Sequence, residues 1–342
     1  MKTAQLLKYN KKSIQLSLEE APKPTPAPHQ ALLRVLTAGV NPLDNMVSRG
    51  EVKLITPYSL PLIAGHEVVG IIEEVATPHT RFQPGDRVFA RLPLDNIGAF
   101  AEYVAVDVDA LAHVPDVFND VEAAAIPLTA LTAVQSLQLM DPQPGETIFI
   151  SGGTGALGAM AIPLAKAKGL TVITNGSASN RERVLELGAD LFFDYRTQDY
   201  ATELENIDYV LDSVGGKETE RQMGILKPGG HIVSLRALPN GAFAKRMGLP
   251  LFKQMLFTLA GRKFDALAKR HKVTYDFLFV ESNGAQLQDA AAVLAERSIS
   301  PAVDAVYDLA DINQALEKVA NGRSKGKTVL NISKQSTGGN RG

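Results

Sequence analysis

Apolar positions along this chain change rhythm near residue 120 and again near 280. Before 120 they come in short runs, at 6–9, 14–18, 31–38, 68–75, 87–90 and 103–106, separated by Pro, Gly and Asn signals. That pattern predicts short, mostly antiparallel strands. The proline-rich 21–28 reads as an extended connector, and Gln83, Pro84, Gly85 and Asp86 as a turn. An alanine-rich helix bent near Pro127 is predicted over 121–140. Strand-like runs follow at 147–151, 170–174, 191–193, 209–212, 231–235 and 275–280, with helices between them, clearest at 181–187 and 218–226. Alternating β and α elements predict a parallel, doubly wound sheet that takes ligand at the carboxyl ends of its strands.

Three stretches remain. Segment 236–271 has no strand signal, but Leu251, Met255, Leu256 and Leu259 fall at helical spacing. They predict a helix packed on the sheet or on a partner subunit, or a lid over substrate. A helix at 284–297, a strand at 302–307, a helix at 311–320 and a strand at 327–332 close the chain. The polar tail 333–342 is expected to fray.

The chemistry centres on 146–169, ETIFISGGTGALGAMAIPLAKAKG, where a strand gives way to a helix across Gly153, Gly155 and Gly158. In a dinucleotide-binding βαβ unit the first glycine makes the turn, and the second lets backbone approach a pyrophosphate. The third allows close packing of helix on strand. The candidate cradle is therefore Gly153, Thr154, Gly155, Ala156, Leu157 and Gly158, with the amides at the helix N-terminus facing phosphate. A tight turn with no ligand is the competing reading of the three glycines alone. Pro163, farther along this helix, costs least if it falls within the first turns.

Composition narrows the alternatives. The chain has 342 residues, enough for two domains, and is 45% hydrophobic with a net charge of −2. This balance argues against a nucleic-acid surface, although a local patch can sit inside the sum. We expect no membrane span and no secretory signal, hence a cytosolic protein. There is no cysteine, which removes disulfides, thiolate nucleophiles and cysteine-ligated zinc.

Several segments now line up in order: VLTAGVNPLDNMVSRG at 35–50, LPLIAGHEVVGIIEEV at 60–75, PGDRVFA at 84–90 and GAFAEYVAV at 98–106. AAIPLTALTAVQSL at 124–137, the glycine turn, DSVGG at 212–216 and LKPGGHIVSL at 226–235 complete the set. Together they resemble the medium-chain dehydrogenase/reductase superfamily, in its zinc-independent quinone oxidoreductase, or zeta-crystallin-like, branch. The resemblance implies an α/β fold: a Rossmann doubly wound parallel sheet plus a GroES-like, mostly antiparallel β domain, with a cleft where they meet. The implied domains are 1–124 and 298–342 for substrate and 125–297 for cofactor. Zinc alcohol dehydrogenases share the superfamily. Their catalytic ligand positions fall here on Asn41, His66 and near Leu128, and one imidazole with an amide and an aliphatic chain is no zinc site. No metal is expected, and His66 reads as a hydrogen-bonded core or cleft histidine.

The second strand of the nucleotide fold ends in Ile173, Thr174, Asn175, Gly176 and Ser177, without the acid that holds the ribose hydroxyls of NAD. Ser177, Asn180 and Arg181 would tolerate or grip a 2′-phosphate, and Tyr195 matches a tyrosine that reaches the adenosine phosphate in the quinone reductase branch. NADPH is the expected cofactor. By the same resemblance Asn41 and Asp44 lie in the cleft, and Thr132 packs near the nicotinamide. Asn41 would hydrogen-bond substrate oxygen or the nicotinamide ribose, unless it is only a turn residue before Pro42. Met46 stands where relatives often carry a tyrosine, which leaves protonation to solvent. The expected activity is hydride transfer to a quinone or α,β-unsaturated carbonyl. A zinc alcohol dehydrogenase and a non-enzymatic NADPH-binding protein are the alternatives. The resemblance also implies a homodimer joined through 275–280; the charge balance and the expected absence of a spanning run imply no nucleic-acid or membrane partner.

Overall fold

Strand Gln30–Val40 is paired along both edges and most of its residues are buried, which is why its sequence is apolar almost throughout. Glu67–Val75 runs antiparallel along one edge. The other edge is shared, Tyr103–Asp107 pairing with its first half and Lys327–Asn331 with its last four residues. Arg87–Arg91 and Ala112–His113 extend the sheet on one side and Val303–Asp308 on the other. A smaller sheet is built from Ser17–Glu20, Lys2–Leu6 and Leu62–Ile63. These elements form one compact unit, Met1–Leu128, Ser282–Gln288 and the chain from Ala302 onward. The computed structural model describes residues 1–11, 13–77, 80–322 and 326–333. The expected fraying of the tail beyond 333 lies outside the described residues.

The second unit, Thr129–Glu281 with Asp289–Pro301, holds six parallel strands. Their order is Leu191–Asp194, Thr171–Gly176, Thr147–Ile150, Ile207–Asp212, Leu226–Ser234 and Thr274–Phe277. Numbered along the chain from Thr147–Ile150, this is 3-2-1-4-5-6, the order of the dinucleotide-binding fold. Strand order reverses between Thr147–Ile150 and Ile207–Asp212, so ligand is directed to the crevice beyond Ile150. Thr274–Phe277 forms the outer edge, the place the dimer expectation requires. The domain limits expected at 124/125 and 297/298 fall here at 128/129 and 301/302, and 282–288 groups with the first unit.

Some local expectations are corrected. The first two strands lie at Lys2–Leu6 and Ser17–Glu20, not 6–9 and 14–18, because Thr3 and Ala4 join Leu6 in the core despite their weak apolar signal. The 121–140 helix is two helices, Asp120–Ala123 and Pro127–Met140, with Pro127 opening the second. Residues 120–140 together reach membrane-crossing length and hydropathy, contrary to the absence of such a run expected above. Yet 72% of that apolar stretch is buried inside the protein, as in a core helix. Pro163 lies two turns into Ala156–Ala167, so its missing N–H removes a bond to the Ala159 carbonyl.

Helix Leu251–His271 forms where helical spacing predicted, but with a different face inward. Phe257, Gly261, Phe264 and Ala268 are buried, whereas Leu251, Met255, Leu256 and Leu259 are exposed.

Candidate functional site

Two assemblies of polar groups stand out, one in each unit. In the second unit the turn after Thr147–Ile150 is held by the neighbouring strand. Gly152 N donates to Asn175 Oδ1 at 2.8 Å, and Gly153 N to the Asn175 carbonyl at 3.0 Å. Thr174 Oγ1 donates to the Ile150 carbonyl at 2.6 Å. A Cβ on Gly153 would stand 2.0 Å from Thr174 Oγ1, and one on Gly158 would stand 2.3 Å from Gly153 Cα, so packing excludes any side chain at both. Gly155 differs: its nearest obstacle is the Gly152 carbonyl oxygen at 3.4 Å, an ordinary contact, in extended backbone that any residue adopts. The protein itself does not need a glycine there, whereas a pyrophosphate approaching the helix N-terminus would. Helix Ala156–Ala167 also begins without a side-chain cap, leaving its first amides to a ligand or water. The residues present therefore fit a dinucleotide.

Beside this turn lies a cavity of about 660 Å³. Thr154 and Tyr195, both expected cofactor residues, line it, together with Asn175, Gly176 and Arg196. Ser177, Asn180 and Arg181 follow the strand at the start of the next helical turns and are not among its lining. Thr132 is buried within Pro127–Met140, where its carbonyl accepts from Ser136 Oγ at 2.7 Å. Two guanidinium groups reach the cavity. Arg221 is ion-paired to Asp199 and Glu218. Arg196 instead lies over the Tyr195 ring, 5.7 Å from its centroid, and no ion pair to it forms among the described residues. Sequence reasoning passed over Arg196 although it sits next to Tyr195.

Asp212, at the end of Ile207–Asp212, has its carboxylate filled by Val214 N, Gly215 N, Thr219 Oγ1 and Ser234 Oγ at 2.6–3.0 Å. It fixes strand ends beside the turn and has no capacity left for a reacting group.

The first unit buries a charged cluster. Strand register puts Gly39 opposite Glu67 and Val40 opposite Thr328, which brings Asn41, Glu67 and Lys327 together. Lys327 Nζ pairs with Glu67 Oε1 and donates to Asn41 Oδ1 at 2.7 Å. Asn41 Nδ2 donates to Glu67 Oε1 at 3.1 Å, and Leu128 N to Glu67 Oε2 at 2.8 Å. The Asn41 amide, expected to be offered to substrate or ribose, is thus engaged at both ends within the chain. Asp44 is engaged too: Oδ2 accepts from Asn41 N at 2.7 Å, opening helix Pro42–Arg49, and Oδ1 meets His66 Nδ1 at 2.5 Å. What the pair leaves over is His66 Nε2, buried and without a hydrogen-bond partner. Tyr58 belongs to the same neighbourhood. Burial pushes its hydroxyl pKa up, with the Asp44 charge adding to the effect and Thr56 and Arg91 opposing it. Among the described residues no group of three His, Asp or Glu is placed to hold a metal.

Residues 27–116 match the alcohol dehydrogenase GroES-like domain, and residues 187–330 match the zinc-binding dehydrogenase domain. The chain is 30% identical over 328 residues to the zebrafish (Danio rerio) NAD(P)H oxidoreductase RTN4IP1, mitochondrial, covering 89% of this chain and 84% of that one. It belongs to the medium-chain dehydrogenase/reductase superfamily, among the quinone oxidoreductase-like members. The 2-methylene-furan-3-one reductase of tomato (Solanum lycopersicum) is 28% identical over 311 residues, 88% of this chain and 71% of that one. The solved quinone oxidoreductase of Coxiella burnetii superposes with a TM-score of 0.82 at 26% identity, covering 97% and 99%. The protein is accordingly an NAD(P)H-binding oxidoreductase.

Two substitutions test the assemblies separately. Gly155→Val should leave the melting temperature nearly unchanged and weaken NADPH binding on the order of 100-fold, about 2.7 kcal/mol, by calorimetric titration; a folded variant that binds normally would remove the turn from the phosphate site. Lys327→Met, which strands the buried Glu67 carboxylate, should cost about 3–5 kcal/mol of stability in denaturant unfolding. Adding Glu67→Gln should restore a large part of it, and additive losses would show that the pair is not coupled.

Proposed function

We propose that this protein reduces a quinone or an α,β-unsaturated carbonyl with NADPH and without zinc. The observation that carries the choice of cofactor is Arg196, a cation without an ion-pair partner among the described residues, held against Tyr195 in the cavity beside the glycine turn. The strand end that would carry an NAD-selecting acid carries Asn175 instead, and Asn175 is occupied in holding the turn. A 2′-phosphate on this side meets a planar fork of donors and no opposing carboxylate from that strand end.

The class of acceptor is supported by the relatives, whose names include an enone reductase and quinone oxidoreductases. Chemistry points the same way. Asn41 and Leu128, at two positions the resemblance aligns with zinc ligands, are bound to Lys327 and Glu67, and conjugated acceptors do not require a metal to polarise an alcohol.

NADPH supplies the hydride, and a proton follows it. Solvent supplies that proton, and His66, held by Asp44 at Nδ1 and buried, serves packing. Asn41 then serves to position Asp44 through its backbone N–H and to hold Lys327, rather than to contact substrate.

A turnover assay over a panel of quinones and enones tests this reading. NADPH should exceed NADH at least tenfold in kcat/KM, about 1.4 kcal/mol, and exhaustive chelation should leave the rate unchanged. Loss of turnover on chelation with recovery on adding zinc, or equal kcat/KM with the two cofactors, would overturn the respective part.

A further inference from the structure

The exposed face of helix Leu251–His271 has no role in the reaction just described. Leu251, Phe252, Met255, Leu256 and Leu259 are 49–78% exposed, a concentration of large apolar side chains that a soluble surface rarely presents. At 3.6 residues per turn they share one arc, opposite the buried Phe257, Gly261, Phe264 and Ala268. The same arc continues toward the C-terminus as Arg262, Lys263, Lys269 and Arg270, all exposed. Asp265, the helix's only acid, falls on the flank and accepts from Asn240 Nδ2 at 2.7 Å. Residues 241–272 hold eight Lys and Arg against one Asp, a formal charge of +7 within a chain whose total is −2. The near-neutral sum conceals a strongly basic, apolar surface.

We propose that this face docks the protein on an anionic lipid surface, the apolar half entering the acyl boundary and the cationic half lying among the headgroups. The two halves match the two layers of such a surface in order along the helix. Residues 251–259 span roughly 12 Å at 1.5 Å per residue, too short to cross a membrane and suited to shallow insertion. A second copy fits less well. Two-fold pairing across Met255 would engage only the five apolar side chains, against the 20–30 residues a side of a stable interface. Pairing along the whole helix would set like charges together or bury them against the apolar half.

Flotation of the full-length protein with vesicles tests the proposal. Vesicles of phosphatidylcholine containing roughly 30% phosphatidylglycerol should bind at least tenfold more protein than phosphatidylcholine alone, and raised salt should weaken the binding. Two variants, F252S/M255S/L259S and R262Q/K263Q/K269Q/R270Q, alter exposed positions only and should keep the melting temperature and turnover of a soluble acceptor. Each should reduce vesicle binding at least tenfold. Equal binding to both vesicle types, or binding that survives both variants, would overturn the proposal. So would sedimentation showing a dimer that the apolar variant dissociates, with no vesicle binding by the wild type.

Discussion

The cofactor unit depends on one close approach: Gly153 lies so near Thr174, and Gly158 so near Gly153, that helix Ala156–Ala167 reaches the sheet only if both positions lack a side chain. This contact sets where the helix begins, and the helix start sets where its uncapped amides point. The neighbouring strand contributes twice, since Asn175 holds the turn through its side chain and its backbone carbonyl. Asp212, Ser151 and Ser213 tie the strand on the other side, Ser213 Oγ donating to the Ser151 carbonyl at 2.7 Å. The turn at the reversal of strand order is therefore held by the chain's own hydrogen bonds, which lowers the cost of ordering a dinucleotide there.

The first unit is organised around charge. A buried ammonium and carboxylate at the junction of three strands are worth little as a source of stability, because desolvation offsets their attraction. Their value is specificity of arrangement. With Glu67 satisfied by Lys327, Asn41 and Leu128, the second carboxylate of the cluster, Asp44, is left to Asn41 N and His66. A buried nitrogen without a partner costs about 1–3 kcal/mol. His66 Nε2 carries that cost beside a carboxylate already engaged at Nδ1.

Much of this was legible in the sequence, and the parts that were not share a cause. The parallel sheet announced itself because strands covered on both faces read as continuous apolar runs, and the glycine turn because its spacing is local. Lys327 was invisible as a partner of Asn41, 286 residues away, since only strand pairing brings them together. Helix Leu251–His271 was read correctly as a helix and wrongly as to its buried face. Its inner surface includes Gly261 and Ala268, which carry little hydropathy, while the apolar spacing that drew attention belongs to the outer one. For the 2′-phosphate the sequence offered Ser177, Asn180 and Arg181 at the end of the second strand. The cavity adds Arg196, which enters from the end of the third strand beside Tyr195.

The central claim is that this cavity recognises an adenosine 2′-phosphate through Arg196 and Tyr195. The most direct measurement compares calorimetric titrations of the wild type with adenosine 2′,5′-bisphosphate and with adenosine 5′-monophosphate, fragments that differ only at the 2′ position. The account predicts at least tenfold tighter binding of the bisphosphate, about 1.4 kcal/mol, and loss of that advantage in Arg196→Gln. Equal affinity for the two fragments, or an advantage that Arg196→Gln leaves intact, would contradict it.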